Sequence, residues 1–322
     1  MNNPGEAILL LSFGGPDRAE EVMPFLENVL RGRNVPHERM LEVAEHYYHF
    51  GGRSPINDQN RALMAALREV LAAEGSDLPV YWGNRNWHPL LPDTLRQMAA
   101  DGVRRAFAFV TSAYSSYSGC RQYLEDIARA RAAVGPAAPE VLKLPVFYNH
   151  PGFIEPMADR VRAAFAQISA GAALAFTAHS VPLWMAETSR YVQQVEEACR
   201  LVADLVDQPA YRLVYQSRSG SPGQPWLGPD VLEYLRELAA GGTRDVVLAP
   251  IGFISDHMEV VYDLDTEARQ LCGQLGLNMV RAQTVGADPR FAAMIRELVL
   301  ECITNGHQRC PDDCCPSPPR HR

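Results

Sequence analysis

Residues 9–16 read "LLLSFGGP" and residues 174–182 read "LAFTAHSVP". Each is a short apolar run that stops at a polar residue and a turn punctuated by Gly or Pro. Apolar on both faces and so bounded, such a run fits a strand in a parallel sheet covered by helices. Runs of the same kind recur over Ala7–Phe13, Val80–Gly83, Ala106–Ala113, Leu142–Tyr148, Ala173–His179, Leu213–Ser217, Val246–Phe253 and Met279–Ala282. Amphipathic stretches separate them, among them "QNRALMAALREVLAAEG", "IEPMADRVRAAFAQIS" and "GPDVLEYLRELAAGG". Several end in Gly or begin beside Pro or Asp, as helix ends do. The alternation predicts an α/β chain of two Rossmann-like domains, each a parallel four-stranded sheet flanked by helices. Residues 1–150 form the first, residues 151–300 the second, and residues 301–322 a Cys/Pro-rich tail. Two such domains facing each other place a cleft at the carboxyl ends of their strands, where ligands bind in these folds.

Composition narrows the function. The 322 residues are 47% hydrophobic, enough for a large core. A net charge of −8 without a long basic run argues against nucleic acid as a partner, although the Arg pair in "VLRGRN" suits a small anion. No stretch approaches the roughly twenty apolar residues of a membrane helix. The start, "MNNPGEAILLLSFGG", lacks the basic segment and long apolar run of a signal peptide. The expected compartment is the cytoplasm, where the seven cysteines serve as thiols or as metal or cluster ligands. Cys199 and Cys272 sit on apolar helix faces and read as core thiols.

The residues just after the strands carry the chemistry. His179 in "FTAHSVP" ends a strand that Pro182 prevents from continuing. "ISDHMEVVYDLDTEA" (254–268) holds six acids or histidines, and on a helix Asp256, Glu259, Asp263 and Glu267 share one stripe. Ser255 or Asp256 is expected to cap that helix, which explains Asp256 and part of Glu259 through the helix dipole. Asp263 and Glu267 are left over. They fit a solvated acidic face or a wet track that leads a divalent cation to Glu259.

With these residues in view, the chain resembles the ferrochelatases, which insert ferrous iron into a porphyrin. The resemblance rests on "LLLSFGGP", "FGGRSPIN" (50–57), "TSAYSSYSGCRQY" (111–123), "FTAHSVP", "YQSRSGSPGQPWLGPD" (215–230) and "GFISDHMEVVYDLDTEA" (252–268), in order along nearly the whole chain. It implies the chelatase fold, with the porphyrin in the cleft between the two domains. It also implies that His179 and Glu259 are the facing metal-inserting groups, with Asp263 and Glu267 as further metal contacts. Arg31, Arg33, Ser54, Arg85, Ser115, Ser118 and Tyr123 resemble the positions that hold the substrate, and an Arg fork suits a carboxylate. Phe13 stands where some relatives carry a Tyr metal contact.

The tail, "ECITNGHQRCPDDCCPSPPRHR", crowds Cys302, Cys310, Cys314 and Cys315 into a Pro-rich stretch otherwise expected to be disordered. Certain ferrochelatases hold a [2Fe–2S] cluster on C-terminal cysteines plus an internal one, and a cluster takes four thiolates. That resemblance implies Cys120, Cys310, Cys314 and Cys315, with Cys302 in reserve; a zinc-scavenging or reactive tail is the alternative. The expected activity is Fe2+ insertion into coproporphyrin III in haem biosynthesis, with transient contact with neighbouring haem-pathway enzymes. Protoporphyrin IX insertion, a sirohydrochlorin cobalt or nickel chelatase using His257, and a non-catalytic tetrapyrrole-binding protein stand as alternatives.

Overall fold

The computed structural model describes residues 4–32, 35–169, 171–219, 223–308, 310–311 and 313–318. In chain order the elements are β1 (Glu6–Ser12), α1 (Val22–Leu30), α2 (His37–His49), α3 (Ile56–Ala73), β2 (Val80–Asn84), α4 (Leu91–Ala100), β3 (Arg105–Val110), α5 (Gln122–Val134) and β4 (Glu140–Lys143). There follow α6 (Pro151–Phe165), β5 (Ala173–His179), α7 (Leu183–Glu187), α8 (Tyr191–Leu205), β6 (Tyr211–Gln216), α9 (Val231–Ala240), β7 (Asp245–Ala249), α10 (Met258–Tyr262), α11 (Arg269–Leu275), β8 (Asn278–Arg281) and α12 (Pro289–Asn305). Every expected strand is present. Three ends fall more than one residue short: β3 stops at Val110, while β4 stops at Lys143 ahead of Pro145 and β7 at Ala249 against Pro250. Proline has no N–H for the sheet ladder and restricts the residue before it.

The chain divides into two compact units. One comprises Met1–Thr111, Tyr123–Pro145 and Ile295–Gln308; the other comprises Ser112–Gln122, Val146–Met294 and Arg309–Arg322. The expectation of a single cut after residue 150 is simpler than this division.

In the first unit the strand order is β2-β1-β3-β4, all parallel. β1 is buried along its whole length, which is why "EAILLLS" is apolar on both faces. Leu9 and Leu11 pack against Leu91, Leu95 and Met98 of α4 and Tyr123 and Ile127 of α5. Burying one such leucine contributes about 1.5–3 kcal/mol. In the second unit the order is β6-β5-β7-β8, again parallel. Ala175, Val214, Val246 and Leu248 of this sheet pack against Leu235 of α9, Val260 of α10, Leu264 in the turn between α10 and α11, and Cys272 of α11. Cys199 and Cys272 are buried, as expected of core thiols. The register sets His179, at the end of β5, beside Gln216 at the end of β6. Among the described residues no helix is long and apolar enough to cross a membrane.

The turn after β7 fixes the height of this strand end. Gly252 donates its N–H to the Thr177 carbonyl at 3.0 Å. A Cβ there would lie 2.6 Å from Ala178 Cα and 2.7 Å from Ala178 Cβ, and a strand backbone cannot step aside. Gly252→Ala is therefore expected to destabilise the protein by about 1–3 kcal/mol, the usual cost of overpacking. Urea unfolding checks this, and parental stability would mean that the turn relaxes.

Candidate active site

β5 delivers His179 to the carboxyl end of the second sheet, and the backbone around it is tied down. Tyr191 Oη donates to the His179 carbonyl at 2.8 Å, and Ser180 N–H donates to the Gln216 carbonyl at 2.8 Å. The ring is oriented by Nδ1, which donates to the Ser180 carbonyl. Nε2 is thereby turned toward Glu259, 3.4 Å from its Oε1. The His179 side chain is 31% exposed and that of Glu259 46%, so a ligand can reach both.

The acidic segment is not one continuous α-helix. α10 covers Met258–Tyr262, the chain then makes a π-helical turn over Asp263–Ala268, and α11 follows. Such π turns are frequent at functional sites. The expected cap, Ser255 or Asp256, is instead His257, whose Nδ1 accepts the Glu259 N–H at 3.2 Å. Asp256 is drawn away by Arg281, which donates to it at 3.0 Å and grips Asp265 through two bonds of 2.8 Å. Asp263 accepts from Ser217 Oγ and, at 3.3 Å, from Gln216 Nε2. The four acids of the stripe thus meet different surroundings: Arg281 for Asp256, His179 for Glu259, Ser217 and Gln216 for Asp263, and solvent exposure for Glu267.

Electrostatics follows from these partners. Burial alone pushes the His179 imidazole down, but the Glu259 charge and hydrogen bond outweigh it and hold the group at about 9. Burial alone pushes Glu259 up, and the same pair outweighs it, leaving the carboxyl at about 2. Without metal the pair is an imidazolium and a carboxylate at neutral pH. Asp263 behaves differently: burial first, then the Glu259 and Glu267 charges, raise it to about 7 against the lowering bond from Ser217. His257 is lowered, chiefly by burial, with the His179 charge adding to it. The raised His179 contributes stability that is complete below its ordinary 6.5 and is lost as pH rises through about 9. The lowered Glu259 contributes stability that is complete above its ordinary 4.5 and is lost as pH falls through about 2. An imidazole, a carboxylate and a second acid that is half-protonated near neutrality are thus gathered at one strand end.

The expected substrate residues are placed as follows. Arg31 is exposed just after α1, and Arg33 lies outside the described residues. Ser54 is buried ahead of α3, with its N–H donated to the Pro16 carbonyl at 2.9 Å. Arg85 is occupied: its side chain is only 8% exposed, sits 3.1 Å from Asp126 and covers the ring of buried Tyr123 at 4.8 Å. In the second unit, Ser115 donates its N–H to Gln194 at 2.7 Å, and Ser118 Oγ lies 3.2 Å from Ser116 Oγ. Phe13 is 38% exposed and meets Phe25 edge to face.

The tail is held by an arginine. Arg121 ends a π-helical turn over Tyr117–Arg121. It donates to the Cys314 carbonyl at 3.0 Å and to the Pro311 carbonyl at 3.4 Å. Cys315, in a left-handed backbone conformation (φ 52°), is 2% exposed and reaches the buried Cys120. Its thiol is pushed up by the hydrogen bond with Cys120 first and by burial second. Cys314 Sγ lies 3.6 Å from Cys315 Sγ, a contact and not a bond. Cys310 is exposed, and Cys302 is buried on α12 near Arg105 and Glu6. Among the described residues no three His, Cys, Asp or Glu side chains converge as a ready-made metal site.

Sequence reasoning missed Gln216, Ser217, Arg281 and Arg121. Each had a signal: Gln216, Ser217 and Arg121 lie inside the motifs that carry the family resemblance, and Arg281 is a charged residue in the short strand "NMVR"; what they touch was not readable without the fold.

The sequence model of the family described as Ferrochelatase matches residues 5–303. A protein of Rhodopirellula baltica named Ferrochelatase is 54% identical, with 98% of this chain and 95% of the relative covered. Proteins named Coproporphyrin III ferrochelatase from Streptomyces coelicolor and Mycobacterium avium are 51% and 54% identical, covering 98% and 92% of this chain and 94% and 88% of the relatives. Among solved structures, SirB from Bacillus subtilis with Fe3+ superposes with a TM-score of 0.58 at 11% identity over 94% of this chain and 97% of that one. At that identity the likeness concerns the fold.

The pair can be tested in solution. In metal-free protein the His179 imidazole is expected to titrate near pH 9 by NMR, and Glu259→Gln should move the midpoint down by removing the upward pull. A midpoint indifferent to the substitution would mean that the two groups do not pair.

Proposed function

We propose, for a chain that belongs to the ferrochelatase family, that it inserts Fe2+ into coproporphyrin III in haem biosynthesis, in the cytoplasm, with His179 and Glu259 meeting the metal. The observation that carries the roles of these two is the 3.4 Å approach of His179 Nε2 to Glu259 at the end of a parallel sheet. Metallation removes two pyrrole protons and exchanges the waters of Fe2+ for macrocycle nitrogens. A carboxylate suits the hydrated cation. Once a divalent cation reaches Glu259, the charge that kept His179 protonated is neutralised, and the imidazole gives up its proton. The neutral ring is then free to accept one pyrrole proton and Asp263, in its carboxylate form, the other, both passing on to solvent. Asp263, at about 7, readily takes a proton or loses one, and Glu267 lies on the exposed side of the same turn. Together they form the outer part of the route.

The porphyrin carboxylates are read onto Arg31, Arg33, Ser54, Ser115, Ser118, Tyr123 and Arg85. To meet a propionate Arg85 would have to turn from Asp126, which keeps Arg129 as its partner. Coproporphyrin III has four propionates and uses more of these groups than protoporphyrin IX with two. The names of the bacterial relatives favour it as well. Enzymes that hand over the porphyrin are the expected transient partners. Seven free thiols suit the cytoplasm.

We also propose a [2Fe–2S] cluster on Cys120, Cys314, Cys315 and Cys310. What supports it is that Cys315 reaches Cys120, Cys314 is 3.6 Å from Cys315, and Cys310 is on the same tail segment held by Arg121; the four thiols would have to draw closer to bind a cluster. Such a cluster, when bound, supplies one-electron chemistry and a cross-link between distant chain segments. Cys302 is set aside, since Arg105 and Glu6 are its neighbours.

Anaerobic Fe2+ added to protein with coproporphyrin is expected to abolish free-base fluorescence. His179→Ala should bind the porphyrin and insert iron about 100- to 10,000-fold more slowly, the usual worth of a general base. Parental protein that binds the macrocycle yet leaves its fluorescence unchanged would favour a non-catalytic binder. Side by side, coproporphyrin should have the higher kcat/KM; a preference for protoporphyrin would reverse the substrate assignment. Anaerobically purified protein should absorb in the visible and contain iron and sulfide, and Cys120→Ser should lose both. A colourless preparation from iron-replete cells would end the cluster assignment.

A further inference from the structure

Gln216 has no role in the assignments above, yet it touches more of the site than any of them. It ends β6 in register with His179 and is 1% exposed. Its carbonyl accepts the Ser180 N–H at 2.8 Å, fixing the residue that orients the His179 ring. Its side-chain Nε2 donates to the Glu259 carbonyl at 2.7 Å and to Asp263 Oδ2 at 3.3 Å.

The Glu259 carbonyl needs that donor for a reason written in the backbone. In a continuous α-helix the Asp263 N–H would bond the Glu259 carbonyl four residues earlier. Here the Asp263 N–H goes to Val260 instead, as α10 passes into the π turn over Asp263–Ala268. The Glu259 carbonyl thus does not receive the Asp263 N–H that a continuous α-helix would give it, and the Gln216 amide donates to it. The amide has one orientation only. Turned over, its oxygen would face a carbonyl and a carboxylate, both acceptors. As placed, Oε1 is buried without a hydrogen-bond partner among the described residues, so the donor side alone fixes the group.

We propose that Gln216 is the positioning residue of the metal-inserting pair: through the Glu259 backbone and the Asp263 carboxylate it sets the distance from these acids to His179, and so controls Fe2+ capture. It touches neither reacting atom, and the inference rests on the proposed function of His179 and Glu259. Groups that hold and orient a metal ligand in this way are worth about 10- to 100-fold in metal affinity or activity.

The decisive substitution is Gln216→Met, which keeps the volume and removes the donor. Expected is a 10- to 100-fold loss in kcat/KM for Fe2+, with coproporphyrin affinity by fluorescence titration at the parental value and Tm lowered by no more than the loss of one hydrogen bond. Gln216→Leu, which also removes the donor and carries no titratable group, should lose as much and serves if Gln216→Met does not fold. A parent protein that takes up no iron overturns the proposed function, and this inference with it. A parent that inserts iron while both variants match it within twofold overturns the inference alone. So does a loss that follows weakened porphyrin binding or unfolding at the assay temperature, since that is what simple packing would give.

Discussion

An imidazole and a carboxylate 3.4 Å apart form the interaction on which the rest of the second unit turns. Brought together without a mutual partner, each would resist its charge on burial. Together they reverse that, holding His179 at about 9 and Glu259 at about 2. The pair is stable only while no cation competes for the carboxylate. A divalent ion is such a competitor, and its arrival would free the ring from its proton at the moment a base is needed. In the proposed reaction the ion pair is thus the resting form of the metal site.

The surrounding structure keeps two distant chain segments in that geometry. Parallel pairing of β5 with β6 sets His179 beside Gln216, and Gly252 packs directly on Ala178 one residue earlier. Arg281, from β8, absorbs Asp256 and Asp265, two acids that would otherwise add to the repulsion around Glu259 and Asp263. Like charges concentrated in one turn destabilise a helix, and the shift to a π turn, with its outside partners, spreads them over different surroundings.

How far this was legible in the sequence depends on the range of the forces involved. "EAILLLS" and "ALAFTAH" declare buried parallel strands because local burial patterns are written in consecutive residues. His179 and Glu259 stood out because each follows such a strand, and family resemblance paired them. The cap was misread: Ser255 and Asp256 are the usual capping types, but Arg281 draws Asp256 off and His257 takes the position. The uniform acidic stripe failed for the same reason, since a π turn and its tertiary partners leave no local pattern. Arg85 reads as a free anion anchor from sequence, while the fold gives it Asp126 and the Tyr123 ring. The Pro-rich tail carries a composition of disorder, and its order comes from Arg121, far away in the chain.

The most direct test is the inner coordination of a metal bound at His179. Co2+, a stand-in for Fe2+ free of background from cluster iron, can be added to the porphyrin-free protein and followed by X-ray absorption at the cobalt edge. One imidazole among oxygen donors is expected, with the imidazole scattering lost in His179→Ala. An all-oxygen shell in the parent protein, or imidazole scattering that survives His179→Ala, would contradict a metal site built on this pair.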